Sequence, residues 1–145
     1  MNITRLQPDI WVGPQITIAD IETLAARGIR SIICNRPDNE VPGQPAAASI
    51  EAAVKAQGLH FAHVPVISSA LSGQDVATFG QALADLPGPV LVYCRSGMRS
   101  AMLWALASAG RLAPDTILAA TAGAGFNLDG LRPSLESLAA RGGAH

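Results

Sequence analysis

Residues 94–100, Cys-Arg-Ser-Gly-Met-Arg-Ser, bring together the side chains in this sequence that are best suited to chemistry on an anion. They lie between an apolar run, residues 90–93, that predicts a buried strand, and an Ala- and Leu-rich run that predicts a helix ending near Gly110. A thiol at this junction faces unpaired N–H groups and the positive end of the helix dipole, which favours the thiolate. The same N–H groups can hold an anion above the sulfur. We therefore predict that Cys94 is a nucleophile.

The rest of this segment is expected to bind the substrate. Arg99 is predicted to act with Cys94 in catalysis, because a guanidinium pairs strongly with an oxyanion. The predicted substrate-binding residues of the same segment are Arg95, Ser96, Gly97, Met98 and Ser100. The alternative is an inert core cysteine, which is common for free thiols. Two arginines, a glycine and a helix start on one loop favour the reactive thiol.

A second polar segment, residues 36–45, follows a predicted buried strand at residues 29–35. Open parallel sheets place their sites at the carboxyl ends of the strands. Arg36, Asp38 and Glu40 are therefore expected to face the nucleophile, and Arg36 and Asp38 are included among the predicted substrate-binding residues. A solvated loop with a structural Arg–Asp pair is equally consistent with this segment.

Three other residues with reactive side chains are predicted to be structural. Cys34 lies inside the predicted strand at residues 29–35 and is interpreted as a core residue. His60 and His63 are an odd number of positions apart, so on a strand they point to opposite faces. No metal site and no cofactor are expected.

Strands alternate with helices along the whole chain. The predicted strands are residues 9–12 at a sheet edge, 29–35, 59–66 and 90–93, the last three buried; a loop is expected at residues 68–72. The other predicted helices begin near residues 17, 46, 72, 114 and 132. This alternation predicts a single α/β domain over residues 1–145, with a mostly parallel sheet of four or five strands flanked by helices.

Composition excludes several classes of function. The chain has 145 residues, of which 49% are apolar and 14% charged, with a net charge of −1. This apolar fraction excludes disorder, and no basic run is present to follow a nucleic acid. Neither a signal peptide nor an apolar stretch of membrane-spanning length is visible, and the two cysteines do not suggest a disulfide framework. A cytoplasmic protein with no nucleic-acid or membrane partner is expected.

Two reactions use a thiolate beside backbone N–H groups and an arginine. One is hydrolysis of phosphate monoesters through a cysteinyl phosphate, and the other is sulfur transfer through a cysteine persulfide. A phosphoryl group needs a wider ring of N–H groups than a single terminal sulfur does. A third class of function is an anion- or persulfide-binding module that senses without turnover.

Residues 92–110, VYCRSGMRSAMLWALASAG, resemble the active-site segment of rhodanese-type sulfurtransferases, in which a Cys-Arg-x-Gly-x-Arg loop follows a strand. The matching positions are Cys94, Arg95, Gly97 and Arg99. Cysteine-dependent phosphatases instead have five residues between the Cys and the Arg, usually with a His before the Cys. Here Ser100 stands at that Arg position and Tyr93 at that His position.

The chain as a whole resembles a bacterial family, the beta-lactamase hydrolase-like protein, phosphatase-like domain, in the order of four segments: DIWVGPQIT, IICNRPDNEVPGQP, FAHVPV and YCRSGMRS. The resemblance implies a fold like that of dual-specificity phosphatases with a loop of rhodanese length. Some members are fused to a persulfide dioxygenase, which for this chain implies such a partner in trans. Dual-specificity phosphatases also carry a general-acid Asp on the loop that matches residues 67–72; that loop has no carboxylate here, and the nearest is Asp75.

These features predict a rhodanese-like sulfurtransferase that moves sulfane sulfur through a Cys94 persulfide to a thiol acceptor. The expected donor is a small anion such as thiosulfate or glutathione persulfide. The alternative is a cysteine-dependent phosphatase of the dual-specificity type, acting through a phosphocysteine at Cys94. The sensor module is the third option.

Overall fold

The protein is described by a computed structural model that covers residues 1–67 and 71–142. Its strands are β1 (Thr4–Gln7), β2 (Ile10–Gly13), β3 (Ser31–Cys34), β4 (His60–His63) and β5 (Val90–Tyr93). They form one five-stranded sheet in the order β1-β2-β5-β3-β4. β1 is antiparallel to β2, and the other neighbouring pairs are parallel.

In the described part of the chain, six α-helices flank this sheet. They are α1 (Ile18–Ala26), α2 (Ala47–Ala56), α3 (Gly73–Asp85), α4 (Met98–Ser108), α5 (Pro114–Gly123) and α6 (Arg132–Gly142), with a short 3-10 helix at Asp129–Leu131. α1 and α3 begin with capping boxes, in which Thr17 pairs with Asp20 and Ser72 with Asp75. The predicted single α/β domain with a mostly parallel, helix-flanked sheet is confirmed.

The prediction was wrong about the outer strands. Residues 9–12 were expected at a sheet edge, but β2 lies inside the sheet because β1 pairs with its outer side. β1 has a single buried residue, Leu6, so it carries almost no apolar pattern to recognise. Residues 59–66 were expected to form a buried strand, but β4 is the opposite edge, and His60 and His63 are both exposed. Of the loop expected at residues 68–72, residues 68–70 lie outside the described residues.

The central strand β5 is buried on both faces, as its unbroken apolar run predicts. Val90 and Val92 pack into a core with Phe79 and Trp104, whereas the intervening Leu91 and Tyr93 pack into a second core on the opposite face. Burying a side chain of this size, compared with leaving it exposed, contributes about 1.5–3 kcal/mol to the stability of the fold. Because β5 is held from both sides, the residue that follows it has a well-defined position.

Candidate active site

Cys94 follows β5 directly and is fully buried. Its Sγ atom accepts a hydrogen bond from the backbone N–H of Gly97 at 3.1 Å. Gly97 is the N-cap of α4, so this N–H belongs to the unpaired donors of the first helical turn. The predicted placement of a thiol at a helix N-terminus is therefore observed, and a negative charge on the sulfur is stabilised by this donor and by the helix dipole.

Gly97 cannot be replaced by a larger residue without disturbing the loop. Its φ angle is +97°, in the left-handed region that disfavours residues with a Cβ atom. A Cβ atom at this position would also lie 2.8 Å from Cζ of Phe126. The loop therefore depends on glycine here for both its backbone angle and its fit against the aromatic ring.

The segment after β2 supports the cysteine loop from one side. The carbonyl of Gly13 accepts a hydrogen bond from the N–H of Cys94 at 3.4 Å, and the N–H of Gln15 donates to the carbonyl of Arg95 at 3.2 Å. These two bonds tie the start of the loop to the neighbouring strand end. The backbone around the nucleophile is therefore held by two adjacent segments of the sheet edge.

Arg99 is nearly buried, at 6% exposure, and its guanidinium is bound within the protein. Its Nη1 and Nη2 atoms donate to the two carboxylate oxygens of Glu40, at 2.7 and 2.8 Å. Nη1 also donates to the carbonyl of Val66 at 2.9 Å. These three bonds use both N–H groups of Nη1 and one N–H group of Nη2. The N–H group on Nε and the second N–H group on Nη2 take no part in them.

Glu40 lies between two guanidinium groups. In addition to its paired bonds with Arg99, it accepts a hydrogen bond from Nε of Arg36 at 2.9 Å. The hydrogen bond with Arg99 and the neighbouring charge of Arg36 lower the pKa of Glu40 from its ordinary value of 4.5 to about 2. The same carboxylate is the main cause of a raised pKa for Arg99, and the charge of Cys94 adds to it. Glu40 is therefore ionised at neutral pH, and Arg99 is held as a cation beside the sulfur.

Ser100 is fully buried and joins α4 to the end of β3. Its hydroxyl donates to the Oδ1 atom of Asn35 at 2.8 Å, and Nδ2 of Asn35 donates to the carbonyl of Val64 at 3.0 Å. This chain of bonds connects three neighbouring segments at the carboxyl edge of the sheet. The Ser100 side chain is therefore buried, and its hydroxyl is bound to another protein residue, although Ser100 was predicted to bind substrate.

Cys34 lies in the core, as its position in a strand predicts. Its thiol is close to the Tyr93 hydroxyl and to the carbonyl of Arg36, the latter at 3.5 Å. Burial is the largest cause of a raised pKa for the Cys34 thiol, and burial also raises the pKa of Tyr93. Both groups therefore stay protonated at neutral pH, unlike a thiolate nucleophile.

The structure brings only part of the predicted set to the nucleophile. Arg95, Ser96 and Met98 are exposed at the loop surface, and Gly97 binds the sulfur. Arg36 is buried and joins the site through Glu40, with Nε bonded to that carboxylate and Nη1 to the side-chain oxygen of Gln15 at 3.0 Å. Asp38 accepts the N–H of Ala47 at 2.8 Å and so caps α2, whereas sequence alone suggested a substrate contact or a pairing with Arg36.

Three contributors were not identified from sequence. Glu40 was placed at the same sheet edge, but its pairing with Arg99 was not predicted; its spacing of four residues from Arg36 is the one local signal. Asn35 and Gln15 had no signal at all, because their bonds join segments far apart in the chain.

Two carboxylates near the site are occupied by helix caps. Asp75 accepts the N–H of Ser72 at 3.1 Å in the capping box of α3. Asp38, in the loop before α2, accepts the N–H of Ala47, the first residue of that helix. Neither carboxylate is arranged here to give a proton to a leaving group.

None of the helices in residues 1–67 and 71–142 combines the length and the apolar character that a membrane span requires.

The fold and the site together define a class, the cysteine-phosphatase-like α/β domains. The structure aligns with Tk-PTP in its active form with a TM-score of 0.71, at 13% identity, covering 97% of each chain. It aligns with the catalytic core of the PP-IP phosphatase SIW14 from S. cerevisiae with a TM-score of 0.65, at 14% identity, covering 99% of this chain and 93% of that one. At these identities the similarity establishes the fold alone.

Within this class, the chain belongs to the family described as beta-lactamase hydrolase-like protein, phosphatase-like domain, whose profile matches residues 2–111. It is similar to the beta-lactamase hydrolase-like protein of Xylella fastidiosa strain Temecula1, with 37% identity over 130 residues, which cover 88% of this chain and 30% of that protein. It is also similar to nma1982 from Neisseria meningitidis Z2491, a candidate phosphatase, with a TM-score of 0.84, 38% identity and coverage of 95% and 99% of the two chains. The chain thus spans less than a third of the Xylella relative.

These comparisons bear on the predicted reaction. The matching family is described as phosphatase-like, and nma1982, at 38% identity, is a candidate phosphatase, so these two findings favour the phosphatase alternative over the sulfurtransferase that the loop length predicted. The domain is enzyme-like and has the fold of the cysteine-dependent phosphatases.

Proposed function

We propose that this domain is a cysteine-dependent phosphatase that hydrolyses phosphate monoesters through Cys94. The observation that supports this most directly is the geometry at the start of α4, where Sγ of Cys94 accepts the Gly97 N–H at 3.1 Å. Arg99 lies on the same turn of the chain and is held as a cation. A nucleophile, an N–H donor and a cation on a cysteine-phosphatase fold are the parts that phosphoryl transfer through a thiolate needs.

The reaction follows from these parts in two steps. The Cys94 thiolate attacks phosphorus, the P–S bond forms, and the P–O bond to the leaving group breaks. Helix N-terminal N–H groups and Arg99 stabilise the charge on the phosphoryl oxygens. Because Asp38 and Asp75 are bound in helix caps, the departing oxygen takes its proton from water. Water then attacks phosphorus, the P–S bond breaks, and inorganic phosphate and the thiolate are released.

The test is hydrolysis of aryl phosphates by the purified protein. We expect turnover, competitive inhibition by vanadate, and a loss of at least about a thousandfold in kcat in Cys94→Ser. Cys34→Ser is the matched control, because it removes the other buried thiol, and it should retain activity. Activity that survives Cys94→Ser, or no turnover of any aryl phosphate, would contradict the proposal.

Sulfur transfer remains a second candidate because of one observation. Four residues separate Cys94 from Arg99, which is the rhodanese spacing and one fewer than the phosphatase pattern. In this reaction the Cys94 thiolate attacks the outer sulfur of thiosulfate or glutathione persulfide, the S–S bond of the donor breaks, and sulfite or glutathione leaves. A thiol acceptor then takes this sulfur from the Cys94 persulfide and releases the Cys94 thiolate. A persulfide dioxygenase acting in trans would be a fitting partner.

Mass spectrometry separates the two candidates. After incubation with thiosulfate, sulfur transfer predicts a gain of about 32 Da, one sulfur atom, on the Cys94 peptide. The Cys34 peptide in the same sample is an internal control and should be unmodified. No adduct on Cys94 with either donor would eliminate this candidate.

A further inference from the structure

Two large apolar side chains that the protein exposes to solvent flank the arginine of the site. Met98 is 40% exposed and immediately precedes Arg99. Ile67 is 64% exposed and immediately follows Val66, whose carbonyl accepts the bond from Arg99 at 2.9 Å. Within the described residues, large hydrophobic side chains are exposed at four positions only, and two of these four residues adjoin Arg99 itself or the residue whose carbonyl binds it.

A third apolar group lies against the same loop. Cζ of Phe126 is 2.8 Å from the position that a Cβ atom on Gly97 would occupy, so the half-buried ring packs on the loop between the nucleophile and α4. Ile67, Met98 and Phe126 are called the apolar rim below. The rim joins residues from three distant segments of the chain around one anion site.

The direction in which the leaving group lies during phosphoryl transfer relates the apolar rim to catalysis. In phosphoryl transfer the attacking atom and the leaving oxygen lie roughly in line on opposite sides of phosphorus. Because Cys94 is fully buried below the loop, the leaving group points outward, away from the sulfur and towards solvent. Ile67 and Met98 are exposed, and each is the next residue after a backbone group of the site: the Val66 carbonyl binds Arg99, and the Gly97 N–H binds Sγ of Cys94.

We propose that the apolar rim selects phosphate monoesters with a large apolar leaving group, such as a multi-ring aryl ester; this inference rests on the proposed phosphatase function. Packing the outer ring of such an ester against Ile67 and Met98 removes apolar surface of both partners from water. A small or strongly polar leaving group gains nothing from the rim.

The test compares phenyl, 2-naphthyl and 4-biphenylyl phosphate, whose phenols are of closely similar acidity. For the wild-type protein we expect kcat/KM to rise about fivefold from phenyl to biphenylyl phosphate. In the double variant Ile67→Gln, Met98→Gln the ratio should fall close to one. Ile18→Gln is the matched control, because Ile18 is 56% exposed on the first turn of α1, and it should keep the wild-type ratio.

A flat series in the wild-type protein, a gradient that survives in the double variant, or a gradient lost equally in Ile18→Gln would each overturn the role of the rim. If no ester is hydrolysed at all, the phosphatase proposal fails, and calorimetric binding of phenylphosphonate and 4-biphenylphosphonate to the wild-type protein then tests the rim separately. The biphenyl compound should bind about fivefold more tightly. Equal affinities, or no binding of either compound, would contradict the proposed selectivity.

Discussion

A single carboxylate fixes the orientation of Arg99. Glu40 binds two nitrogens of the guanidinium at 2.7 and 2.8 Å, and a paired arrangement of this kind fixes the plane of the group as well as its position. Arg36, itself buried, holds Glu40 from the other side. We therefore expect Glu40 to be a positioning residue, which acts on a substrate only through Arg99.

Glu40→Gln tests this positioning role. The amide keeps the shape of the side chain but removes its charge and one of its acceptor oxygens, so Arg99 becomes less well oriented. We expect kcat/KM for phenyl phosphate to fall about 10- to 100-fold. The measurement is steady-state kinetics, with the melting temperature followed in parallel to separate misplacement of Arg99 from unfolding.

Glu51→Gln is the control for that variant, because Glu51 pairs with Lys55 at 3.0 Å on an exposed helix face. It should leave kcat/KM unchanged, since exposed ion pairs of this type contribute little. If Glu40→Gln raised kcat/KM, Glu40 would instead be a competitor of the substrate for Arg99.

The junction between β5 and α4 is the element on which the site depends. β5 is buried on both faces, α4 begins at Gly97, and the left-handed backbone angle of Gly97 turns its N–H towards Sγ of Cys94. The N–H of Gly97 is bonded to this sulfur, and the N–H of Met98 donates to the hydroxyl of Ser96 at 3.3 Å. The next two N–H groups, of Arg99 and Ser100, belong to the first helical turn and are the donors that we expect an anion to meet.

Gly97→Ala should damage both stability and activity. The positive φ angle costs about 1–2 kcal/mol for a residue with a Cβ atom, and the contact with Phe126 forces the loop to shift. We expect a lower free energy of unfolding in denaturant titration and a loss of at least about tenfold in kcat/KM, because the N–H bond to sulfur moves.

Gly58→Ala separates these two effects. Gly58 also has a positive φ angle, +76°, but a Cβ atom there would meet no neighbour within 4 Å. This variant should lose a similar free energy from backbone strain while keeping the wild-type kcat/KM. Wild-type kinetics in Gly97→Ala would show that the loop geometry does not matter to the reaction.

At the scale of the whole molecule, the strand order assembles the site. The parallel strands β2, β5, β3 and β4 are neighbours, so their carboxyl ends lie side by side at one edge of the sheet. The segments after these strands supply Gln15, Cys94, Glu40 and Val66 respectively. The ion pair between Glu40 and Arg99 joins two of these segments and so contributes to the stability of the fold as well as to the site.

The pH dependence of stability should report this ion pair. The pKa of Glu40 is lowered to about 2 in the folded protein, so its contribution to stability is complete above the ordinary pKa of 4.5 and is lost as the pH falls towards 2. We expect the free energy of unfolding of the wild-type protein to decrease across that window more steeply than that of Glu40→Gln. Urea titrations at several pH values measure the difference, and parallel curves would contradict it.

Sequence alone determined the fold class and predicted Cys94 as the nucleophile. Alternating apolar runs and helix signals were sufficient for an α/β sheet, because strand burial and capping are local patterns; the Thr17–Asp20 capping box is one example. Cys94, Gly97 and Arg99 were recognisable because nucleophile, turn and cation lie within a few consecutive residues. The strand at β1 was missed because it buries one side chain only.

Only the tertiary structure decided what each polar group binds. Asp38 caps α2, Arg36 and Glu40 form an ion-paired group with Arg99, and Asn35 binds Ser100, and these partners are separated by up to 65 residues. No local pattern encodes such pairs, because they depend on the order of the strands in the sheet. The same order brings the segments that carry Ile67 and Met98 to one edge of the sheet, where Arg99 binds the Val66 carbonyl, so the apolar rim too depends on the folded chain.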